Sequence, residues 1–372
     1  MKHLRWLGCL SALVGCGAAQ DGAGSAPPAR APSAVSAVRS PADEPHLVPT
    51  LEVAAPALVS PREASAPARP PTLEELLATL PSASSSTSIG SPTNGRLEGG
   101  VPLPLLGPGF RYNDRRSRDA RYGTVETVRA IVRGASVVHD ELPGSELLVN
   151  DIGLVEGGRI SHHGSHRAGR DADILFFLLG DDGKPTESVG APIDPEGIGF
   201  DYKDLSLPED DLRVHFDAAR TWRFVQALLA GQESPVQRIF VVEHLRARLL
   251  AEAERSGAPA ALIARFADVT CQPSYPHDDH LHVRWYCSVE DLRAGCEDLP
   301  PLYPWHAEEL AALGQKPIMT TKTRSEEPAP VVTQADAARA VAKASPHADV
   351  VAFLKRRKAW EKQPHPGRPY CK

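Results

Sequence analysis

The chain has 372 residues, 42% of them hydrophobic, with 47 Asp and Glu against 41 Lys and Arg, a formal net charge of −6. That length and apolar content suffice for one or two packed cores, and the acidic balance leaves no basic footprint for a nucleic acid. The 35 prolines are unevenly spread, and the two ends read unlike the middle.

The first residues, MKHLRWLGCLSALVGCGAAQ, carry Lys2 and Arg5, a short apolar run and then small residues around Cys16. This is the pattern of an export signal, too short to span a bilayer as a permanent helix. Leu13-Val14-Gly15-Cys16 resembles a bacterial lipobox, which implies cleavage before Cys16 and lipid on its thiol. Residues 1–16 are therefore expected to be a lipoprotein signal, and their removal takes the net charge from −6 to −8. The residue after Cys16 is not Asp, so by the usual lipoprotein sorting resemblance the mature protein is expected in the periplasm, anchored to the outer membrane.

Residues 17–87 are rich in Ala, Pro and Ser and read as a disordered tether, because they cannot bury enough apolar surface to offset chain entropy. About 70 such residues give a mean reach of about 45 Å. Within them, TLEELLATLP has the pattern for one or two helical turns.

A compact domain of roughly 200 residues is expected over residues 88–298. Thr124 caps a helix with Val125, Val128, Ile131 and Val132 on one face. ELLVNDI reads as a strand and ADILFFLL as one continuous buried strand ending at Gly180. Residues 216–230 form a helix whose Trp222, Val225, Leu228 and Leu229 face the core. VQRIFVV is a strand, EHLRARLLAEAERSG a helix stopped by Gly257, and LHVRWYC a last strand. The irregular interleaving predicts an α+β fold with a mainly antiparallel central sheet and flanking helices. Residues 299–372 form a partly helical extension that either docks or stands apart.

Setting aside Cys9 and the lipidated Cys16, four cysteines remain in an exported chain, which reads as two disulfides. Of three pairings, Cys287 with Cys296 is favoured by closeness in sequence, leaving Cys271 with Cys371 by elimination.

Chemistry concentrates in two clusters, SHHGSHRAGRDADILFF and PHDDHLHVRW. On a strand, His280 and His282 project from one face while Leu281 points inward. If the strand bearing Asp173 pairs beside it, His166, Asp173 and His282 can surround one ion. Two imidazoles and a carboxylate with an open fourth position form the ligand set of catalytic zinc, one Zn2+ per chain. His280 would then accept the proton of a water. His277 and His163 would steady an oxyanion or protonate a leaving amine. Two alternatives stay open: Asp171, two residues before Asp173, as ligand or as an orienting carboxylate, and His162 in place of the favoured His163. His139, His215, His244, His347 and His365 are assigned no role. No H-E-x-x-H, G-x-S-x-G or phosphate-loop pattern is present.

SHRAGRDAD together with HDDHLH resembles the penicillin-insensitive murein endopeptidase family, a branch of the LAS group of lysostaphin-like and D-Ala-D-Ala metallopeptidases. The shared pattern, His-x6-Asp and a distant His-x-His, falls on His166, Asp173, His280 and His282, with the branch's further histidines on His163 and His277. SIGSPTNGRLEGGVPLP, RYGTVETV and LLVNDIGLVEGGRI extend the likeness over roughly Ser88 to Cys296. The resemblance implies a LAS-type fold and a zinc endopeptidase acting on peptidoglycan stem peptides. The bond cut would join D-alanine to meso-diaminopimelate, without a serine nucleophile that penicillin could trap. A D,D-carboxypeptidase of the same fold and a non-catalytic wall- or metal-binding lipoprotein are the alternatives. The tether, the lipobox and the C-terminal extension lie outside the family pattern, and the sequence names no protein partner.

Overall fold

The structure, a computed structural model, describes residues 71–144, 146–320, 345–361 and 371. The export signal, Cys16 and residues 17–70 lie outside the described residues, as does His365.

A seven-stranded mixed sheet carries the architecture. Its strands, in chain order, are β1 (Leu106–Gly107), β2 (Phe110–Tyr112), β3 (Leu147–Val149), β4 (Asp171–Leu175), β5 (Val236–Phe240), β6 (Thr270–Cys271) and β7 (His280–Trp285). Their spatial order is β6-β5-β7-β4-β3-β2-β1. The pairs β5/β6 and β2/β3 are parallel, and the other four are antiparallel. The fold is thus α+β with a mainly antiparallel central sheet, as the interleaving of elements suggested.

The helices are α1 (Leu73–Thr79), α2 (Val125–Glu141), α3 (Ala218–Ala230), α4 (Glu243–Arg255), α5 (Ala260–Val269), α6 (Val289–Arg293), α7 (Pro304–Ala312) and α8 (Ala348–Glu361). Thr124 caps α2 through its hydroxyl, which accepts from the Thr127 amide. The predicted stripe of α3 is buried, and Val128, Ile131 and Val132 of α2 enter the same core as Ile174, Leu281 and Val283 of the sheet. Helix α2 approaches α3 closely at Gly134, where a Cβ would stand 2.8 Å from the Phe224 ring.

Two expectations need correction. ADILFFLL is not one strand: β4 ends at Leu175, and Leu178–Leu179 belongs to a separate four-stranded sheet, where Leu178 pairs with Phe216 and Thr186. Between them the Phe176 carbonyl accepts from Ser188 Oγ, and the Phe177 carbonyl accepts at 3.0 Å from the Asp217 amide. An apolar run buried throughout carries no periodic mark of where the backbone changes partners. The folded part also begins before Ser88. Helix α1, placed by sequence within the tether, has a capping box between Thr72 and Glu75, and its Leu76 is buried in the main core.

Both predicted disulfides are present, Cys287–Cys296 and Cys271–Cys371. The described parts of the C-terminal extension dock: Leu310 of α7 packs with the Cys287–Cys296 cluster, and Trp360 of α8 packs on the main core.

Glu126, in the first turn of α2, is buried near Asp291 and Glu233. Burial, reinforced by those carboxylates, pushes its pKa up from 4.5 to about 7. The folded state therefore keeps a proton that the unfolded chain releases, and stability is lost as pH rises from about 4.5 through 7. Replacing Glu126→Gln is expected to raise stability at pH 8 by an amount on the order of 3 kcal/mol, and to change little at pH 4.5. A calorimetric difference independent of pH would refute the assignment.

Candidate metal centre

The pairing of β4 with β7 sets Asp173 opposite His282 and Asp171 opposite Arg284. Both pairs face one side of the sheet, as the two-residue period requires. His280, one step of that period before His282, extends the row. The second contribution comes from the loop between β3 and β4, which returns His163 and His166 to the same place. Gly157 (φ +70°) and Gly169 (φ +71°) permit this fold-back: a Cβ at Gly157 would meet the Arg167 carbonyl at 2.2 Å, and one at Gly169 would meet Leu97 at 2.9 Å. His166 itself takes a left-handed backbone, φ +68°, which a non-glycine residue adopts at a cost.

The Asp173 carboxylate is the centre of the cluster. His282 Nδ1, His166 Nε2 and His280 Nε2 stand 3.2, 3.3 and 3.4 Å from its Oδ1, and His163 Nδ1 is 3.6 Å from its Oδ2. Each imidazole is held from behind by an oxygen that can only accept. His166 Nδ1 donates to the Ile152 carbonyl at 2.9 Å, and His163 Nε2 to Asp151 Oδ2 at 2.8 Å. His280 Nδ1 donates to Asp279 Oδ1 at 2.7 Å, and His282 Nε2 to Asp171 Oδ1 at 2.9 Å. In the neutral ring this fixes the proton on the outer nitrogen and turns a lone pair inward. His277, also at positive φ (+53°), donates from Nδ1 to the Tyr275 carbonyl at 2.8 Å, and its ring centroid lies 4.9 Å from that of His280.

Ring nitrogens crowded this closely around one carboxylate repel it wherever they present lone pairs, unless a cation or proton lies between. His166 Nε2 and Asp173 Oδ1 are both buried and lack a hydrogen-bond partner, which is costly for polar atoms left empty. His163, His166 and Asp173 bring one ligand atom each within 4.8 Å of one another. Two ligands of a tetrahedral zinc stand about 3.3–3.5 Å apart, close to the 3.2 and 3.3 Å found between Asp173 Oδ1 and the nitrogens of His282 and His166. The donor set therefore fits a metal of zinc type.

Electrostatics agree. Burial opposes the Asp173 charge, but His166 and His280 outweigh it and hold the carboxyl well below the usual carboxylate range. Burial, with His166 close beside it, pulls His163 down to about 3, and burial among the other imidazoles does the same for His277. His280 differs: burial opposes its charge, yet Asp279 and Asp173 raise it well above its ordinary value.

The alternatives left open by sequence separate here. Asp171 is fully occupied, accepting from His282 Nε2, from Arg284 Nε at 2.7 Å and from the His166 amide at 3.1 Å, so it holds the His282 ring and the His166 backbone in place. Asp173 faces the cluster. His163 makes the contacts with Asp151 and Asp173, while the neighbouring His162 is exposed at the rim. Residues without an expected role stay apart: His244 donates to the Ile193 carbonyl and His215 pairs with Asp181.

Sequence reasoning missed Asp151, the anchor of His163, whose Oδ1 accepts from Arg116 Nε at 3.0 Å. It also missed Phe240, whose ring meets His282 edge-on at 5.1 Å. Asp151 lies in a loop, where no periodicity announces a partner. The cluster opens into a cleft of about 380 Å³, with Thr93, Phe240 and Tyr275 among its walls, a size suited to a short peptide. A cleft of equal volume at Arg111 and Glu187 gathers no such ligands.

Residues 88–337 match the family profile described as penicillin-insensitive murein endopeptidase. Among similar proteins, the penicillin-insensitive murein endopeptidase of Yersinia pestis bv. Antiqua (strain Antiqua) is 30% identical over 258 residues, 68% of this chain and 85% of the relative. That of Klebsiella pneumoniae subsp. pneumoniae is 31% identical over 229 residues, covering 61% and 75%. That of Escherichia coli O157:H7 is 28% identical over 256 residues, covering 68% and 86%. With the profile matched across His163, His166, Asp173, His277, His280 and His282, the chain belongs to the penicillin-insensitive murein endopeptidase family.

Proposed function

We propose that this chain is a zinc-dependent endopeptidase of peptidoglycan, built on a LAS-type fold, that hydrolyses the D-alanyl to meso-diaminopimelyl cross-link between stem peptides. The observation that carries the reading is the inward convergence of imidazole nitrogens on the buried Asp173 carboxylate, inside a peptide-sized cleft. The names of the relatives support peptidoglycan as substrate. The signal and lipobox residues through Cys16 support export and anchoring to the outer membrane. Among the described residues no helix is long and apolar enough to cross a membrane.

His166 Nε2, Asp173 Oδ1 and His282 Nδ1 would hold the ion. His163 Nδ1 faces the other carboxylate oxygen and so stands beside this set. Zinc bound there supplies Lewis acidity and brings a water to hydroxide-like reactivity near neutral pH. His280 is the proton acceptor: its Nε2 faces the cleft, and Asp279 steadies the imidazolium that results. Asp173 would be committed to the ion, and Asp279 would remain as the carboxylate that holds the His280 ring for its work as a base. His277 and His163 are held neutral, with lone pairs inward. They are better placed to orient substrate N–H groups and relay a proton to the leaving amine than to stabilise an oxyanion, which would need their charged forms.

Purified protein is expected to contain one zinc per chain, to lose hydrolysis of sacculi on chelation and to regain it with zinc. Mass spectrometry should show cross-linked dimers converted to intact monomers. Trimming of terminal D-alanine alone would indicate a carboxypeptidase, and binding of sacculi without cleavage at any metal loading would indicate a wall-binding protein. His282→Ala should lose the metal, whereas His280→Ala should keep it and be inactive; full activity of His280→Ala would remove the base assignment. Asp171→Asn should weaken zinc binding about 10–100-fold, read by competition with a chromophoric chelator, and unchanged affinity would show that Asp171 does not orient the ligands.

A further inference from the structure

Helix α8 lies beyond residue 337, where the family match ends, yet its side chains reach the loop that carries His277. Asp278 is wholly buried beside His277, and its carboxylate is gripped from α8. Arg357 Nε donates to Oδ2 at 2.8 Å, Arg357 Nη2 to Oδ1 at 2.6 Å and Trp360 Nε1 to Oδ2 at 2.9 Å. Arg357 Nη2 also donates to the Tyr275 hydroxyl at 3.3 Å, and its guanidinium carbon lies 5.2 Å from the centre of that ring. At the other end of the loop the Gln272 side-chain amide donates to the Trp360 carbonyl at 2.8 Å, the Cys371 amide donates to the Gln272 carbonyl at 3.0 Å, and Cys271 is bonded to Cys371. These attachments bracket Tyr275, a wall of the cleft, and His277.

We infer that α8 is an added clamp on the cleft and that Arg357, acting through Asp278, is a positioning residue for His277 and Tyr275. Two physical points require something of this kind. A buried carboxylate that loses its cationic partner is strongly destabilised unless the chain moves to hydrate it, and the chain free to move here is the loop itself. His277 also holds a left-handed backbone, which persists only where the surroundings enforce it. The main chain helps, since the His277 carbonyl accepts from the Val242 amide at 3.1 Å and the Asp278 carbonyl from the Ile193 amide at 2.8 Å. Neither bond fixes the Tyr275 ring or neutralises Asp278.

The catalytic part of this inference rests on the proposed endopeptidase reading, whereas the holding of the loop does not. The test compares full-length wild type with Arg357→Ala, Arg357→Lys and, as a control on an exposed neighbour, Arg356→Ala. Hydrogen–deuterium exchange should quicken in residues 272–280 of Arg357→Ala while residues 281–285 of β7 stay protected. On a purified cross-linked muropeptide dimer, kcat should fall about 10–100-fold, KM should change less, and zinc content should stay at the wild-type level. Arg357→Lys, which keeps the charge without the two-pronged contact, should be intermediate in both readouts, and it decides the matter if Arg357→Ala does not fold. Wild-type exchange in both Arg357 variants overturns the inference. A loop that loosens while kcat stays unchanged removes the role in catalysis. A wild type that leaves the dimer intact defeats the endopeptidase reading, and the exchange result still decides whether α8 holds the loop.

Discussion

The site depends above all on the register of β4 against β7. Asp173 faces His282 and Asp171 faces Arg284 across an antiparallel pair whose strands are more than a hundred residues apart in sequence. Side chains alternate faces along a strand, so a slip of one residue would send both aspartates away from both imidazoles. The core guards against that slip: Ile174 and Leu281 are paired neighbours on the opposite face and both are fully buried. Apolar packing on one side of the sheet therefore sets the chemistry on the other.

Around this pair, a ring of acceptors determines what the imidazoles can do. Asp151, Asp171, Asp279 and the carbonyls of Ile152 and Tyr275 each take the outward N–H of one histidine. The result is a set of imidazoles whose ring orientations are fixed by the protein itself. The acceptors also differ usefully. Asp279 behind His280, with Asp173 before it, raises that imidazole well above its ordinary value, whereas the group behind His166 is an uncharged carbonyl.

Much of this was legible in the sequence because strand geometry is periodic. His280 and His282 share a face by their spacing, and Asp173 could be matched to them once its segment was read as a strand. What escaped was aperiodic. Asp151 and the choice between Asp171 and Asp173 depend on how a loop with left-handed glycines folds back, which residue spacing does not encode. The break at Phe176 and Phe177 was hidden because an unbroken apolar run gives no sign of a change of sheet. The docking of α8 turns on Arg357, which in sequence stands in a run of basic residues resembling a solvated helix end, and only the buried Asp278 facing it reveals its partner.

The Cys271–Cys371 bond closes a loop of 100 residues. In the chain-entropy view, a cross-link of that span restricts the unfolded chain by about 4.7 kcal/mol, compared with about 2.6 kcal/mol for the separation of 9 between Cys287 and Cys296. The long span encloses β7, α6, α7 and α8, whereas the short one encloses only α6. Reduction of the first bond would therefore release the far end of that whole stretch from β6, and reduction of the second would loosen a single turn.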